Sequence, residues 1–158
     1  MLKDDLNIQG RLIMRKFNLS GELVEEVSAH NDITLNGRYL VSKLFSIDNA
    51  KSNVARVSKI CMGRSDAAFS ETDAALKDKI FETPVKTPIE TSEVLDPVTG
   101  RKRVMLRLYG ELGENDSNDV LKEAGLFTDD NVMYNRVTFG AITKTVQFKL
   151  TLVWEITF

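Results

Sequence analysis

The sequence predicts a mainly β protein, an antiparallel β-sandwich or barrel-like fold with one short α-helix packed at one side. Three observations carry that prediction. The stretch Thr143 to Phe158 puts Val146, Phe148, Leu150, Leu152, Trp154, Ile156 and Phe158 on one parity and mostly polar residues on the other, with Val153 the exception. Successive strand side chains point to opposite faces, so this reads as one long strand with a continuous apolar face. Extended segments elsewhere are separated by turn residues, as in Asn18-Leu19-Ser20-Gly21 and Asp96-Pro97-Val98-Thr99-Gly100. Helical spacing stands out at one place, where Leu40, Val41, Leu44 and Phe45 recur at three and four residues. A sheet apolar on one face needs a second layer, which sandwiches and barrels supply.

In chain order, Asn7–Phe17 and Glu22–Val27 form a hairpin about the Asn18–Gly21 turn. Leu12 and Met14 fall on one side of its first strand and Ile13 and Phe17 on the other, so that strand is central or covered by a partner. The helix follows, with Thr34 or Asn36 as its N-terminal cap and Asp48-Asn49 as terminators. Val54–Gly63 is extended, and Ala67–Lys79 holds at most one helical turn. From Ile80 to Val94 the chain is extended but interrupted by Pro84 and Pro88, which suit an edge strand or a loop. Arg101–Leu112 returns from the Asp96–Gly100 turn. After an acidic loop at 113–119, Val120–Phe127 and Val132–Phe139 flank a turn at Asp129-Asp130-Asn131, and Gly140 leads to the last strand. Seven to nine strands are expected.

A chain of 158 residues suits a single domain, 1–158, with a core that needs no staples. A net charge of −2 lacks the basic balance that phosphate neutralisation requires, so nucleic acid is not expected as a partner. Cys61 is the one cysteine, which leaves no intramolecular disulfide and no thiolate cluster. No apolar run reaches the roughly 18 residues of a membrane span, and Lys3, Asp4 and Asp5 are unlike a signal peptide. The expected compartment of synthesis is a reducing cytoplasm, with no membrane and no cofactor.

Residues for catalysis are scarce. His30 is the one histidine, so a multi-histidine metal site is ruled out. Cys61 lies within an apolar strand pattern and reads as a small buried thiol. Asp116, Asp119, Asp129 and Asp130 lack calcium-loop spacing, and the nine glycines form no phosphate cradle. An enzyme is not expected. Ile13, Phe17 and Tyr109, on the less apolar faces of their strands, are the candidates for contact with another chain. A carbohydrate-binding β-sandwich is the alternative from another class, but Tyr39, Tyr109 and Tyr134 are too dispersed to suggest a stacking platform.

Several short motifs recur in a familiar order. They are Ile33-Thr34-Leu35-Asn36-Gly37-Arg38, Ile60-Cys61-Met62-Gly63, Asp73-x-x-Leu76, Glu123-Ala124-Gly125-Leu126-Phe127, and Arg136-x-x-Phe139 with Thr143-Lys144 and the alternating strand. In this the chain resembles the N-terminal attachment domains of tail fibres from contractile-tailed phages, and small baseplate or collar proteins of phage tails and related injection machines. The resemblance spans about Ile33 to Phe158 and marks Glu123, Gly125, Leu126, Phe127 and Lys144 as structural residues. It implies a non-enzymatic virion part, made in the host cytoplasm, that assembles as a homo-oligomer and attaches to other tail, neck or baseplate proteins. A capsid decoration protein is a second alternative that shares this mechanism. The N-terminal hairpin, within residues 1–30, precedes the resembling part and suits assembly with a neighbour. On that reading the remainder is expected to fold without residues 1–27.

Overall fold

In the computed structural model, residues 7–45 and 54–158 are described. The expected terminators Asp48 and Asn49 lie outside them. Among the described residues are β1 (Gln9–Asn18), β2 (Leu23–Ile33), α1 (Leu35–Lys43), β3 (Val57–Gly63), β4 (Lys79–Pro84), β5 (Lys86–Leu95), β6 (Lys102–Leu112), β7 (Val120–Thr128), β8 (Met133–Thr143) and β9 (Phe148–Thr157). All nine strands pair antiparallel in one sheet, in the order β4-β3-β7-β8-β2-β1-β9-β6-β5, which curls into a half-barrel. The mainly β fold and the short helix are as the sequence predicts.

The curl brings β6 over β3 and β4. A Cβ built on Gly110 of β6 would lie 2.8 Å from Ile60 and 3.1 Å from Thr83, so glycine there lets the two sides of the half-barrel close on each other. Between them sits one core, in which Leu12, Met14, Met62, Leu126, Leu152 and Trp154 are all fully buried. The hairpin is therefore no appendage. Strand β1 lies between β2 and β9 and supplies Leu12 and Met14 to the centre of the core.

Strand β9 is ten residues long, shorter than the sixteen-residue alternation suggests. Thr143 ends β8, and a turn at Thr145–Phe148, closed by the Phe148 amide donating to the Thr145 carbonyl at 3.1 Å, separates the two strands. Val146 is accordingly exposed, whereas Leu150, Leu152, Trp154 and Ile156 face the core. Val153 breaks the alternation for a visible reason. Its partners are Ile13 on β1 and Tyr109 on β6, so one row on the outer face is non-charged across three strands.

The prolines act as expected. Strands β4 and β5, which contain Pro84 and Pro88, are the two edges of the sheet, where a missing N–H breaks no ladder. Thr34 caps α1 by accepting from the Gly37 amide at 3.0 Å, and the segment Ala67–Lys79 forms turns without a helix.

Candidate functional site

Residues from each of the resembling motifs, scattered in sequence, converge on the outer face of the β3–β7–β8 side. After a bulge between Leu121 and Glu123, β7 turns Ala124 and Leu126 to the core and Glu123, Gly125 and Phe127 away from it. Register then sets Cys61 opposite Gly125 on β3, and Arg136 opposite Gly125 on β8. The turns at 64–78 cover this surface. Leu76 packs with Cys61, Phe127 and Met133 in a small second core, and a Cβ at Gly125 would lie 3.2 Å from Leu76.

Beside that cluster is a buried charge network. The Arg136 guanidinium, wholly inaccessible, donates to Glu123 Oε2 at 2.8 Å and to Asp73 Oδ2 at 3.2 Å. Its remaining donors reach the carbonyls of Ala67 at 2.9 Å and Ala68 at 3.3 Å. Glu123 in turn accepts from the backbone amides of Lys77 at 3.1 Å and Asp78 at 2.7 Å. Gly63 is needed beneath it, because a Cβ there would lie 2.4 Å from Glu123 Oε1. The Lys77 ammonium sits 2.6 Å from Asp73. Burial alone pushes the Asp73 carboxyl up, but Lys77, the Ser70 amide and Arg136 together hold it below its ordinary value. The network thus fastens an irregular segment onto the sheet with charges that are mutually paired.

The first motif joins the same assembly. Thr34 Oγ1 donates to the Met133 carbonyl at 2.8 Å while it caps α1, and the Leu35 amide donates to the Glu71 carbonyl at 2.7 Å. A Cβ at Gly37 would lie 2.0 Å from the Tyr134 carbonyl oxygen, a contact with backbone that cannot give way, so glycine sets how closely the helix meets β8. Lys144 performs a similar task elsewhere. Its buried ammonium donates to the Glu114 carbonyl and to Asn118 Oδ1, each at 3.0 Å, and so ties down the acidic loop. Burial lowers the Lys144 pKa, with Asp116 and Glu114 acting in opposition.

The contact candidates lie on a different surface, the outer face of β1, β9 and β6. Ile13 and Tyr109 are brought together there, each paired with Val153. Ile13 is 8% exposed, so its burial within this chain leaves little of it for a partner. Tyr109 is half-buried and donates to Glu90 at 2.7 Å, and Phe17, also half-buried, lies near the far end of β1. One row beyond Val153, Glu155 is held between Arg11 at 2.6 Å and Arg107 at 3.0 Å. Burial raises its carboxyl pKa, and the two guanidiniums more than offset this, so the net shift is downward.

Other candidate groups are dispersed. His30 is exposed on β2, opposite Arg11 on β1, and the Cys61 thiol is buried and pushed up in pKa by that burial. Among the described residues no three His, Cys, Asp or Glu side chains gather as a metal site, and no helix is long and apolar enough to cross a membrane. Sequence reasoning did not anticipate the carbonyls of Ala67 and Ala68 or the amides of Lys77 and Asp78, because backbone groups leave no residue-type signal. What fold and site define is an antiparallel half-barrel with a clasped surface segment. In comparisons with protein families, curated proteins and solved structures, nothing matches the chain.

Proposed function

We propose that this chain is a non-enzymatic structural part of a phage virion, in the tail, collar or baseplate, that joins virion proteins through protein–protein contacts. The observation that supports this most is the convergence of the five resembling motifs. Gly37, Gly63, Leu76, Glu123, Gly125 and Arg136 stand far apart in sequence and act together to fasten α1 and the 64–78 segment to the sheet. Their chemistry is consistent with a fixed surface. Each charge in the cluster is met by an opposite charge or a backbone dipole, which suits permanent attachment better than turnover.

A homo-oligomer is part of the same proposal, since symmetric closed assembly is the common state of such components. Light scattering of the purified chain over a concentration series tests it. A single defined oligomer that persists on dilution is expected. A monomer across the series, up to about 100 μM, would remove self-assembly from the proposal, because an obligate interface is saturated well below that concentration.

A further inference from the structure

Of the two edges of the sheet, one is covered and one is open. Thr83 of β4 is 9% exposed and lies against Gly110 of β6, whereas nine of the ten residues of β5 are exposed and, among the described residues, β5 pairs with β6 alone. An open edge is a template for another strand, and chains normally guard it with proline, bulges or charges. Here the guards stand at one end. Pro88 and the register shift between Lys86 and Glu90 interrupt the first half of β5, and Thr91 to Leu95 run on in unbroken register. Glu90 and Glu93 do not shield that half, because each is drawn across to β6, Glu90 accepting from Tyr109 at 2.7 Å and Glu93 from Lys102 at 2.9 Å.

Backbone bonds fix which groups of this edge are free. Val104 of β6 exchanges both of its backbone hydrogen bonds with Phe158, at 2.9 and 3.2 Å, on the β9 side. Glu93, opposite Val104, therefore finds no ladder partner across β6 and turns its N–H and C=O outward, and by alternation so do Thr91 and Leu95. The Asp96 amide agrees with this phase, since it donates inward to the Arg101 carbonyl at 2.8 Å.

The edge is complementary to itself. In antiparallel pairing centred on Ser92, Thr91 meets Glu93 of a second copy with both outward-turned backbones in phase to bond, and Ile89 meets Leu95 of that copy. Ile89 and Leu95, 41% and 69% exposed, share the parity of Thr91, so the twofold brings two apolar pairs together on one face. Glu90 falls opposite Val94, and no like charges meet among these pairs. We propose that β5 of one chain pairs with β5 of a second copy about a twofold axis at Ser92, which joins two half-barrels through a continuous sheet. Such a contact is isologous and closes on itself. The inference rests on the homo-oligomer in the proposed function and gives it a surface.

Light scattering of the full chain at about 100 μM, beside edge variants, tests the pairing. An even number of chains is expected. Thr91→Pro removes an outward N–H that no ladder bond within the chain uses, and Leu95→Lys sets a charge against Ile89 of the second copy. Each should halve the mass while the thermal transition by circular dichroism is kept. Leu95 is exposed, so its variant keeps the test valid even if the proline variant fails to fold. Ser92→Cys should cross-link chain to chain under mild oxidation, because facing residues of a non-hydrogen-bonded pair have Cα atoms about 4.5 Å apart, within disulfide reach. Thr91→Cys, opposite Glu93, should not, and Cys61 is 1% exposed and stays out of the reaction. An oligomer whose mass neither edge variant changes, an odd number of chains, or no cross-link in an oligomeric Ser92→Cys protein would overturn the β5 pairing and leave the homo-oligomer standing. A monomeric wild type would remove both.

Discussion

Arg136 has its guanidinium fully enclosed between Glu123 and Asp73. Its removal would strand two buried carboxylates, which costs far more than an exposed ion pair is worth. Arg136→Met should therefore destabilise the chain by about 3–5 kcal/mol, read from urea unfolding. Adding Glu123→Gln should cost less than the sum of the single changes, because the two share one network. A loss under about 1 kcal/mol for Arg136→Met would show that the clasp does not hold the fold. Asp73 adds a pH dependence. Its folded pKa lies below the ordinary 3.8, so its contribution is complete above that value and is lost as the pH falls through the lower, folded one. Stability should fall with acid over that window, and Asp73→Asn should flatten this part of the profile while lowering stability at pH 7. An unchanged acid limb in the variant would assign the loss to other carboxylates. The residue types at these positions were legible as motifs, but their pairing was not, because Asp73 and Arg136 are 63 residues apart and meet only through strand register.

Strand β1 decides between two readings of the N-terminal hairpin. An assembly arm would leave the rest of the sheet intact when removed, whereas β1 joins β2 to β9 and fills the core with Leu12 and Met14. Deleting residues 1–27 removes β1 and about half of β2, so β9 loses a partner and the core an entire wall. The truncated chain should lack a cooperative thermal transition by circular dichroism. A folded truncation would return the hairpin to the role of an arm. The pattern apolar on both faces did signal a covered strand, but a sequence does not say whether the cover is the same chain or another one. Ile13 is buried within its own chain, between Ser28 of β2 and Val153 of β9, an arrangement that depends on strand pairing. The edge strands were easier to read, since Pro84 and Pro88 restrict the backbone wherever they stand.

The whole molecule depends on a sheet that curls until its two sides share one core. The β2–β8 step that joins them is short, pairing Asp32 with Arg136 and Ile33 with Asn135. Trp154 of β9 is nevertheless linked to β2 through its indole N–H, which donates to Asn31 at 2.8 Å, and Gly110 of β6 rests against Ile60 of β3. The curl also leaves one end open, where Tyr134, Leu106 and Ile156 come together with α1 and create an apolar groove. By itself the sequence determined the mainly antiparallel β class, the place of the one helix, the exclusion of the prolines from central strands and the inward parity of the last strand. Those are properties of neighbouring residues, set by backbone sterics and side-chain period. Only the tertiary structure decided that β1 is central, that Arg136 lies between Glu123 and Asp73, and that Thr34 is the residue that caps α1. These depend on register and curl, which arise from the summed packing of strands distant in the chain and leave no local trace in any one segment.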